Sequence, residues 1–451
     1  MDTRERSFPH PNRFVLETTL ACNLRCRHCG SRAGKARTDE LALPEIEDLF
    51  LGAAALGCRR VTLSGGEPMM RPDWLEIIAA GRRAGLGVAM ITNGLAFDAG
   101  AARAAKEAGL GNVGLSVDGI GRTHDNIRGK CGHFGVITEA MRTARDAGIS
   151  FTVITTLFSA NARELLQLYE LARDNGAFSW QVQTCFDMGN LTDHPELKLR
   201  PRQLIAAERL LGDLIRRGEQ RIAVCNSFGY FGPEERELRR YYNGKHFSGC
   251  AAGIRTFGVE SNGDVKGCMS IYAGCVDRTH GYIEGNIRRA PLEEIWCRPG
   301  AFAYNREWSI EDMDGFCRTC EHVEKCRGGC RTNIITYGGG VENPLCVHRA
   351  LVEDRPRSGV GRLGEAAAAV FAGALAVTAP NCGDEPQDPT GGDTDTDTDT
   401  GPDTETETET ETWSDTDGYD TDVDTDTETD TEPDGGADDG GTPDGGGVDA
   451  G

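Results

Sequence analysis

The sequence predicts an α/β protein: a partial (β/α)6 TIM-like barrel, then a small cysteine-rich domain, then a disordered acidic tail. Three observations predict it. Between Arg13 and about Cys225, short β-branched or apolar runs alternate six times with amphipathic helical patterns. Cysteines crowd between Phe247 and about Val352. Beyond Gly383 there are 26 Asp and Glu and no Lys or Arg.

The strand candidates are Phe14–Thr18, Arg60–Leu63, Val88–Ile91, Val113–Val117, Phe151–Thr155 and Trp180–Thr184. Between them, Leu43–Leu56, Trp74–Ala84, Ala99–Ala108, Gly135–Ala147 and Ala162–Asn175 repeat apolar residues at helical spacing. Pro44 stands where a first helical turn tolerates it, and Gly57 and Gly85 stand where a left-handed C-terminal cap prefers glycine. Six such repeats imply a parallel sheet with helices outside it, over residues 12–225. Residues 226–246 read as a polar, irregular bridge. Residues 247–352 form the cysteine-rich domain, where Thr256–Glu260 and Asp264–Gly267 read as a hairpin about Ser261-Asn262-Gly263. Pro291–Trp296 reads as a short helix. A core this small needs metal staples.

Residues 353–382 form an Ala-rich apolar segment whose apolar run, 366–380, is preceded by Arg355, Arg357 and Arg362 and followed by Asn381-Cys382. Residues 383–451 are Asp-Thr and Glu-Thr repeats with a Gly/Asp-rich end, too charged and too poor in apolar residues to offset chain entropy. Three readings of this end stay open: a disordered appendage, a membrane or secretory tether, and a substrate peptide carried in cis. The apolar run is short for a membrane-spanning helix, so a membrane is not the expected partner.

Charge narrows the function. Of 71 acidic residues 26 lie beyond Gly383, which leaves 45 against 48 basic ones, about +3 for the remainder. A nearly neutral body offers no nucleic-acid-binding face. Seventeen cysteines in clustered spacings, in a chain large enough to fold without disulfides, favour metal ligation in a reducing cytoplasm. No apolar signal segment opens the chain at Met1–Asn12.

Cys22-Asn23-Leu24-Arg25-Cys26-Arg27-His28-Cys29 follows directly on the first strand. Three thiolates on one loop fill three corners of a 4Fe–4S cluster and leave one iron open, whereas a structural zinc site closes with four ligands. His28, adjacent to Cys29, is poorly placed to be that fourth ligand. About forty residues on, Ser64-Gly65-Gly66-Glu67-Pro68 ends the second strand; its glycines allow close backbone approach and Glu67 is an acceptor for an ammonium group. Thr92-Asn93-Gly94 and Ser116-Val117-Asp118-Gly119 end strands three and four, on the side where ligands gather in parallel sheets. Asn93 and Asp118 read equally well as turn residues.

These motifs resemble the radical S-adenosylmethionine (SAM) superfamily. The resemblance implies a 4Fe–4S cluster on Cys22, Cys26 and Cys29 whose open iron is chelated by the methionine part of SAM, and reductive cleavage to a 5′-deoxyadenosyl radical. It implies cofactor-binding roles for Gly65, Gly66, Glu67, Asn93 and, at the ribose hydroxyls, Ser116. His28 stands where the family often has an aromatic residue. A low-potential electron donor is implied as a partner. A cluster scaffold that cleaves nothing would need the cysteines but neither Glu67 nor the glycines.

The later cysteines carry a second resemblance. Twelve residues separate Cys250 from Gly263 and four separate Gly263 from Cys268; Cys317-x2-Cys320-x5-Cys326-x3-Cys330 and a lone Cys346 follow. That layout, with Glu284-Gly285-Asn286-Ile287 before a helix ending at Trp296, resembles the SPASM domain of peptide-modifying radical enzymes, and the likeness spans residues 12–350. It implies two auxiliary clusters, a distal one on Cys317, Cys320, Cys326 and Cys346 and a proximal one on Cys250, Cys268 and Cys330. The proximal set lacks a fourth cysteine within residues 251–262, so that iron is open or is closed by Cys275. Zinc ribbons on the same cysteine pairs are the competing reading. Cys58, Cys131, Cys185, Cys225 and Cys297 read as core or surface thiols, and Cys185 as one facing the barrel cavity.

Met269 follows Cys268, where the sulfatase-maturing branch has an Asp base, which argues against formylglycine formation. The expected activity is maturation of a ribosomally made peptide; the alternative is oxidative tailoring of a tetrapyrrole or other small metabolite. Only about a dozen residues precede the first strand, so leader recognition would fall to the cysteine-rich domain or to a separate leader-binding protein.

Overall fold

The computed structural model describes residues 8–241, 246–271, 281–337 and 342–353. Cys275, the segment from residue 354 to 382 and the tail 383–451 lie outside the described residues. Within them the chain is a partial TIM-like barrel. The first six strands are β1 (Arg13–Thr19), β2 (Arg60–Gly65), β3 (Gly87–Thr92), β4 (Asn112–Ser116), β5 (Ser150–Leu157) and β6 (Ser179–Thr184). Around them run α1 (Leu43–Ala55), α2 (Trp74–Arg83), α3 (Ala99–Glu107), α4 (Arg122–Arg128), α5 (His133–Asp146), α6 (Leu165–Asp174) and α7 (Pro201–Arg217). Each expected strand and helix is present within a few residues of its expected ends. Three barrel elements go beyond the sequence reading: the short α4, α7, seventeen residues long, and the three-residue β7 (Ile222–Val224), which pairs in parallel with β6.

Every neighbouring pair from β1 to β7 is parallel, so both faces are covered and the strands bury side chains on each. β4 is buried along its whole length and β5 at every residue but the first. Helices are held at their ends by short-range bonds: Asp98 accepts from Ala101 N (2.8 Å) at the start of α3, and Gly57 after α1 adopts φ +101°. Trp180 is fully buried, with its indole N–H donated to Thr155 Oγ1 (2.9 Å).

The bridge over residues 226–246 is less irregular and less polar than its sequence suggests. It contains α8 (Glu235–Leu238) and buries Phe228, Tyr230 and Arg239. Arg239 tolerates burial because Glu235 pairs with it at 3.2 Å, one turn away, and its Nη2 donates to Phe228 O (2.6 Å).

The expected hairpin forms as β8 (Thr256–Val259) and β9 (Asp264–Lys266), with Gly263 at φ +93° in the turn. It is not a separate layer. β8 pairs in parallel with β1, Phe14 opposite Phe257, and β10 (Ile283–Asn286) closes the antiparallel edge. A single ten-stranded sheet thus runs β10-β9-β8-β1-β2-β3-β4-β5-β6-β7. Six short helices complete the cysteine-rich region: α9 (Leu292–Cys297), α10 (Ala303–Arg306), α11 (Gly315–Arg318), α12 (Val323–Cys326), α13 (Arg331–Thr336) and α14 (Val347–Glu353). Among the described residues no helix is long and apolar enough to cross a membrane.

The seam between barrel and hairpin is aromatic. Phe14 stacks on Phe257 (4.9 Å, 4°), tilts against Phe50 (6.0 Å), and Phe257 meets Trp296 (5.6 Å). Phe14→Ala is expected to destabilise the protein by about 3–5 kcal/mol, read from urea unfolding, whereas Leu51→Ala on the exposed side of α1 stays within about 0.5 kcal/mol.

Candidate active site

The chain leaving β1 doubles back on itself. Gly34 N donates to Leu20 O (2.8 Å) and Cys22 N to Gly34 O (3.3 Å), which closes residues 20–34 into one loop carrying Cys22, Cys26 and Cys29. The loop rests on the end of β2: Gly66 N donates to Thr19 O and Glu67 N to Ala21 O, both at 2.8 Å. A Cβ on Gly65 would strike Thr19 O and one on Gly66 would strike Ala21 O. These glycines are therefore required where two backbones touch, quite apart from any ligand. From the other side, Asn190 N bonds Cys29 O (2.9 Å) and Asn190 Nδ2 bonds Cys26 O (2.9 Å), so the turn after β6 clamps the same loop.

Glu67 is the buried carboxylate beside this loop. It accepts from Asn93 N and Thr92 Oγ1, each at 2.8 Å, and burial pushes its pKa up to about 7 against those hydrogen bonds. Asn93 spends its side chain locally: Nδ2 donates to Asn23 Oδ1 (2.7 Å), and Oδ1 accepts from Leu95 N (2.9 Å). It ties the third strand to the cysteine loop and makes a turn at once. Ser116 ends β4 with no side-chain hydrogen bond among the described residues.

Asp118, read from sequence as a possible turn residue, is the centre of a buried network. Its Oδ2 meets Arg128 Nη2 at 2.6 Å and His28 Nε2 at 3.4 Å, while Oδ1 accepts from Thr156 N (2.7 Å). Arg128 Nη1 also reaches Cys26 Sγ at 4.0 Å. Burial, with Arg128 adding to it, lowers the His28 pKa to about 4, so the imidazole is neutral near pH 7. Arg128 was missed in the sequence; the His124-Asp125-Asn126-Ile127-Arg128 run directly after strand four was the available signal.

The three cysteines lie within each other's electrostatic reach: Cys29 and Cys22 both act on Cys26, whose thiol burial pushes up to about 11. The later cysteines fall into two groups by the same measure. Cys317, Cys320, Cys326 and Cys346 act on one another and line one pocket with Tyr230 and Phe231. Cys250, Cys268 and Cys330 form the other group. Tyr230 stands between the groups, its hydroxyl accepting from Cys330 N (3.1 Å). Cys185 is buried, with Sγ 3.7 Å from Tyr337 Oη at the end of α13. Cys131, expected as a thiol, is disulfide-bonded.

The cysteine groups fit clusters better than single ions. Zn–S bonds of about 2.3 Å draw tetrahedral sulfurs to within about 4 Å of one another. Among the described residues, the three possible ligand atoms gathered within 4.8 Å are those of Glu321, His322 and His348, not any set of cysteines. Burial raises the thiols of Cys22, Cys26, Cys250, Cys317, Cys326, Cys330 and Cys346, and a metal-bound thiolate is the form that offsets that cost.

Comparison with known proteins agrees with this geometry. The family model described as the radical SAM superfamily matches residues 16–172, and SPASM, an iron–sulfur cluster-binding domain, matches residues 250–321. The AdoMet-dependent heme synthase of Methanosarcina barkeri is 28% identical over 352 residues, 75% of this chain and 97% of that protein. The PqqA peptide cyclase of Streptomyces rochei is 29% identical over 355 residues, 76% and 92% of the two chains. The fold is shared with Streptococcus suis SuiB bound to S-adenosylmethionine (TM-score 0.60, 17% identity, 75% of this chain and 77% of that one). It is shared equally with anSMEcpe bound to AdoMet (TM-score 0.59, 19% identity, 76% and 96%).

The chain carries a radical SAM domain and is an enzyme. It carries a C-terminal SPASM domain, and its cofactors are SAM and 4Fe–4S clusters, one of the radical SAM type and the others auxiliary.

A buried carboxylate that must ionise to accept from an amino group makes binding pH-dependent. On the expectation that Glu67 accepts from the SAM amino group, its pKa of about 7 makes SAM affinity rise by up to about tenfold per pH unit below that value and level off above it, since the carboxyl proton must leave before the N–H donor is accepted. Glu67→Gln is expected to weaken binding at pH 8 by about tenfold or more and to flatten the slope, measured by anaerobic equilibrium dialysis.

Proposed function

We propose that the chain cleaves SAM reductively and removes a hydrogen atom from a carbon of its substrate, a ribosomally made peptide. In this reading Cys22, Cys26 and Cys29 hold the radical SAM cluster, Glu67 accepts from the methionine amino group, and Ser116 meets the ribose. Cluster and SAM together supply the 5′-deoxyadenosyl radical that abstracts the hydrogen. The chain's own groups keep the loop rigid: Gly65 and Gly66 let β2 touch it, Asn93 crosslinks it, and the Asp118–Arg128 pair backs Cys26 with a fixed positive charge. Residues 12–225 then make up the radical SAM barrel, 226–246 the bridge and 247–352 the SPASM domain, with Cys317, Cys320, Cys326 and Cys346 on the distal cluster and Cys250, Cys268 and Cys330 on the proximal one. A reducing cytoplasm and a low-potential electron donor suit such clusters.

One observation favours a peptide over a tetrapyrrole. A tetrapyrrole presents several carboxylates, which need cations. Five guanidiniums near the cysteine loop are already held by carboxylates, Arg27 by Glu196, Arg32 by Asp193, Arg37 by Glu17 and Glu260, Arg71 by Asp73 and Arg128 by Asp118, while Arg25 donates to Cys22 O and Leu24 O. Replacing those partners would leave buried carboxylates such as Glu17 unpaired. The second reading, tetrapyrrole tailoring, is favoured by the match across almost the whole Methanosarcina barkeri heme synthase.

Deuterium transfer separates the two. Anaerobic turnover with perdeuterated small peptides encoded beside the gene is expected to place deuterium in 5′-deoxyadenosine; deuterium arriving only from a labelled porphyrin would reverse the order. Reconstituted protein is expected to hold about twelve irons per chain if three 4Fe–4S clusters form, and about four if the later cysteines hold something else.

A further inference from the structure

The proximal cysteine group is lined by two polar groups with nothing to bond. Tyr304 Oη and Arg331 Nη2 are both buried and both lack a hydrogen-bond partner. Both are donors, and a buried donor left unmade costs its full desolvation penalty, so two of them together point to an acceptor that belongs between them. Their surroundings say which one. Apart from burial itself, the strongest charges acting on Tyr304 are Cys250 and then Cys268, and the strongest acting on Arg331 is Cys250.

The local backbone is shaped for this. Gly267 directly precedes Cys268, and a Cβ there would overlap the Tyr304 hydroxyl. Asn305, next to Tyr304, fixes the other side: its Nδ2 donates to Cys250 O (2.7 Å) and Ala252 O (2.8 Å), and its Oδ1 accepts from Arg331 Nε (3.5 Å). The guanidinium is thus positioned by the same side chain that holds the Cys250 backbone, and the phenol stands on the adjacent residue. Cys225, which also feels Cys268, differs: its thiol is engaged with Gln183 Oε1 at 3.9 Å.

We propose that Tyr304 and Arg331 are positioning residues for the proximal auxiliary cluster, donating O–H···S and N–H···S hydrogen bonds to its sulfur atoms and thereby raising its reduction potential. Reduction adds negative charge to the cluster, and donors and a fixed cation stabilise that charge. The proposal rests on the reading that Cys250, Cys268 and Cys330 ligate the cluster.

The test uses the full chain with Cys22, Cys26 and Cys29 replaced by Ala, so that only auxiliary clusters remain, and reads potentials by EPR-monitored redox titration. The proximal signal is the one that Cys268→Ala removes. Tyr304→Phe, which keeps the ring, and Arg331→Gln are each expected to shift that signal to more negative potential, Arg331→Gln further because it also removes a charge. Iron content and the distal signal should stay constant. Unchanged potentials in both variants would overturn the proposal. So would cyanide binding that appears in Tyr304→Phe and not in the parent, since that makes the phenol a ligand of the iron. If Cys268→Ala removes no signal at all, the ligand reading itself fails.

Discussion

The architecture depends on a single electrostatic constraint: thiols held where the thiolate form is penalised. Burial raises Cys22 and Cys26 near the amino end, and Cys250, Cys330, Cys317, Cys326 and Cys346 near the other. Left unbound these thiols stay neutral, and an iron centre supplies the positive charge that the thiolate form needs. Folding of the cysteine-rich region is in this sense inseparable from metal loading, as expected where a small core cannot hold short helices alone. Its helices α10 to α12 are each four residues long, far below the length at which a helix is stable in isolation.

The sheet decides where these centres sit. Because β8 joins β1 in parallel, the hairpin that precedes Cys268 is built onto the strand that feeds the Cys22 loop. The aromatic seam of Phe14, Phe257 and Trp296 makes that junction part of the main core instead of a hinge. At the other end, Tyr337 of the helical region reaches Cys185 at the close of β6. The cysteine-rich region therefore meets the barrel at both sides of the sheet. Between the two late cysteine groups stands Tyr230, contributed by the segment that looked like a mere bridge.

Much of this was legible in the sequence where the signal is local. Strand and helix positions follow hydrophobic periodicity, and the resemblance to SPASM domains, not the spacing alone, divides the later cysteines into two groups. The hairpin at Asn262-Gly263 follows from turn chemistry. What was not legible is long-range. Pairing of β8 with β1 joins residues more than two hundred positions apart, and nothing in either strand announces its partner. β7 has only three residues, too few to show a period. Asp118 looked like a turn residue because its partners, His28 and Arg128, come from two other segments. The glycines of Gly65-Gly66 were read as room for a ligand, while the structure shows the cysteine loop's own carbonyls against them.

The most direct measurement of the central claim is electron–nuclear double resonance on the reduced enzyme carrying only its amino-terminal cluster, with SAM labelled by 15N at the methionine amino group. The account predicts a clear 15N coupling to the cluster spin, absent when Cys26 is replaced by Ala. A reduced cluster with SAM bound and no such coupling would contradict it.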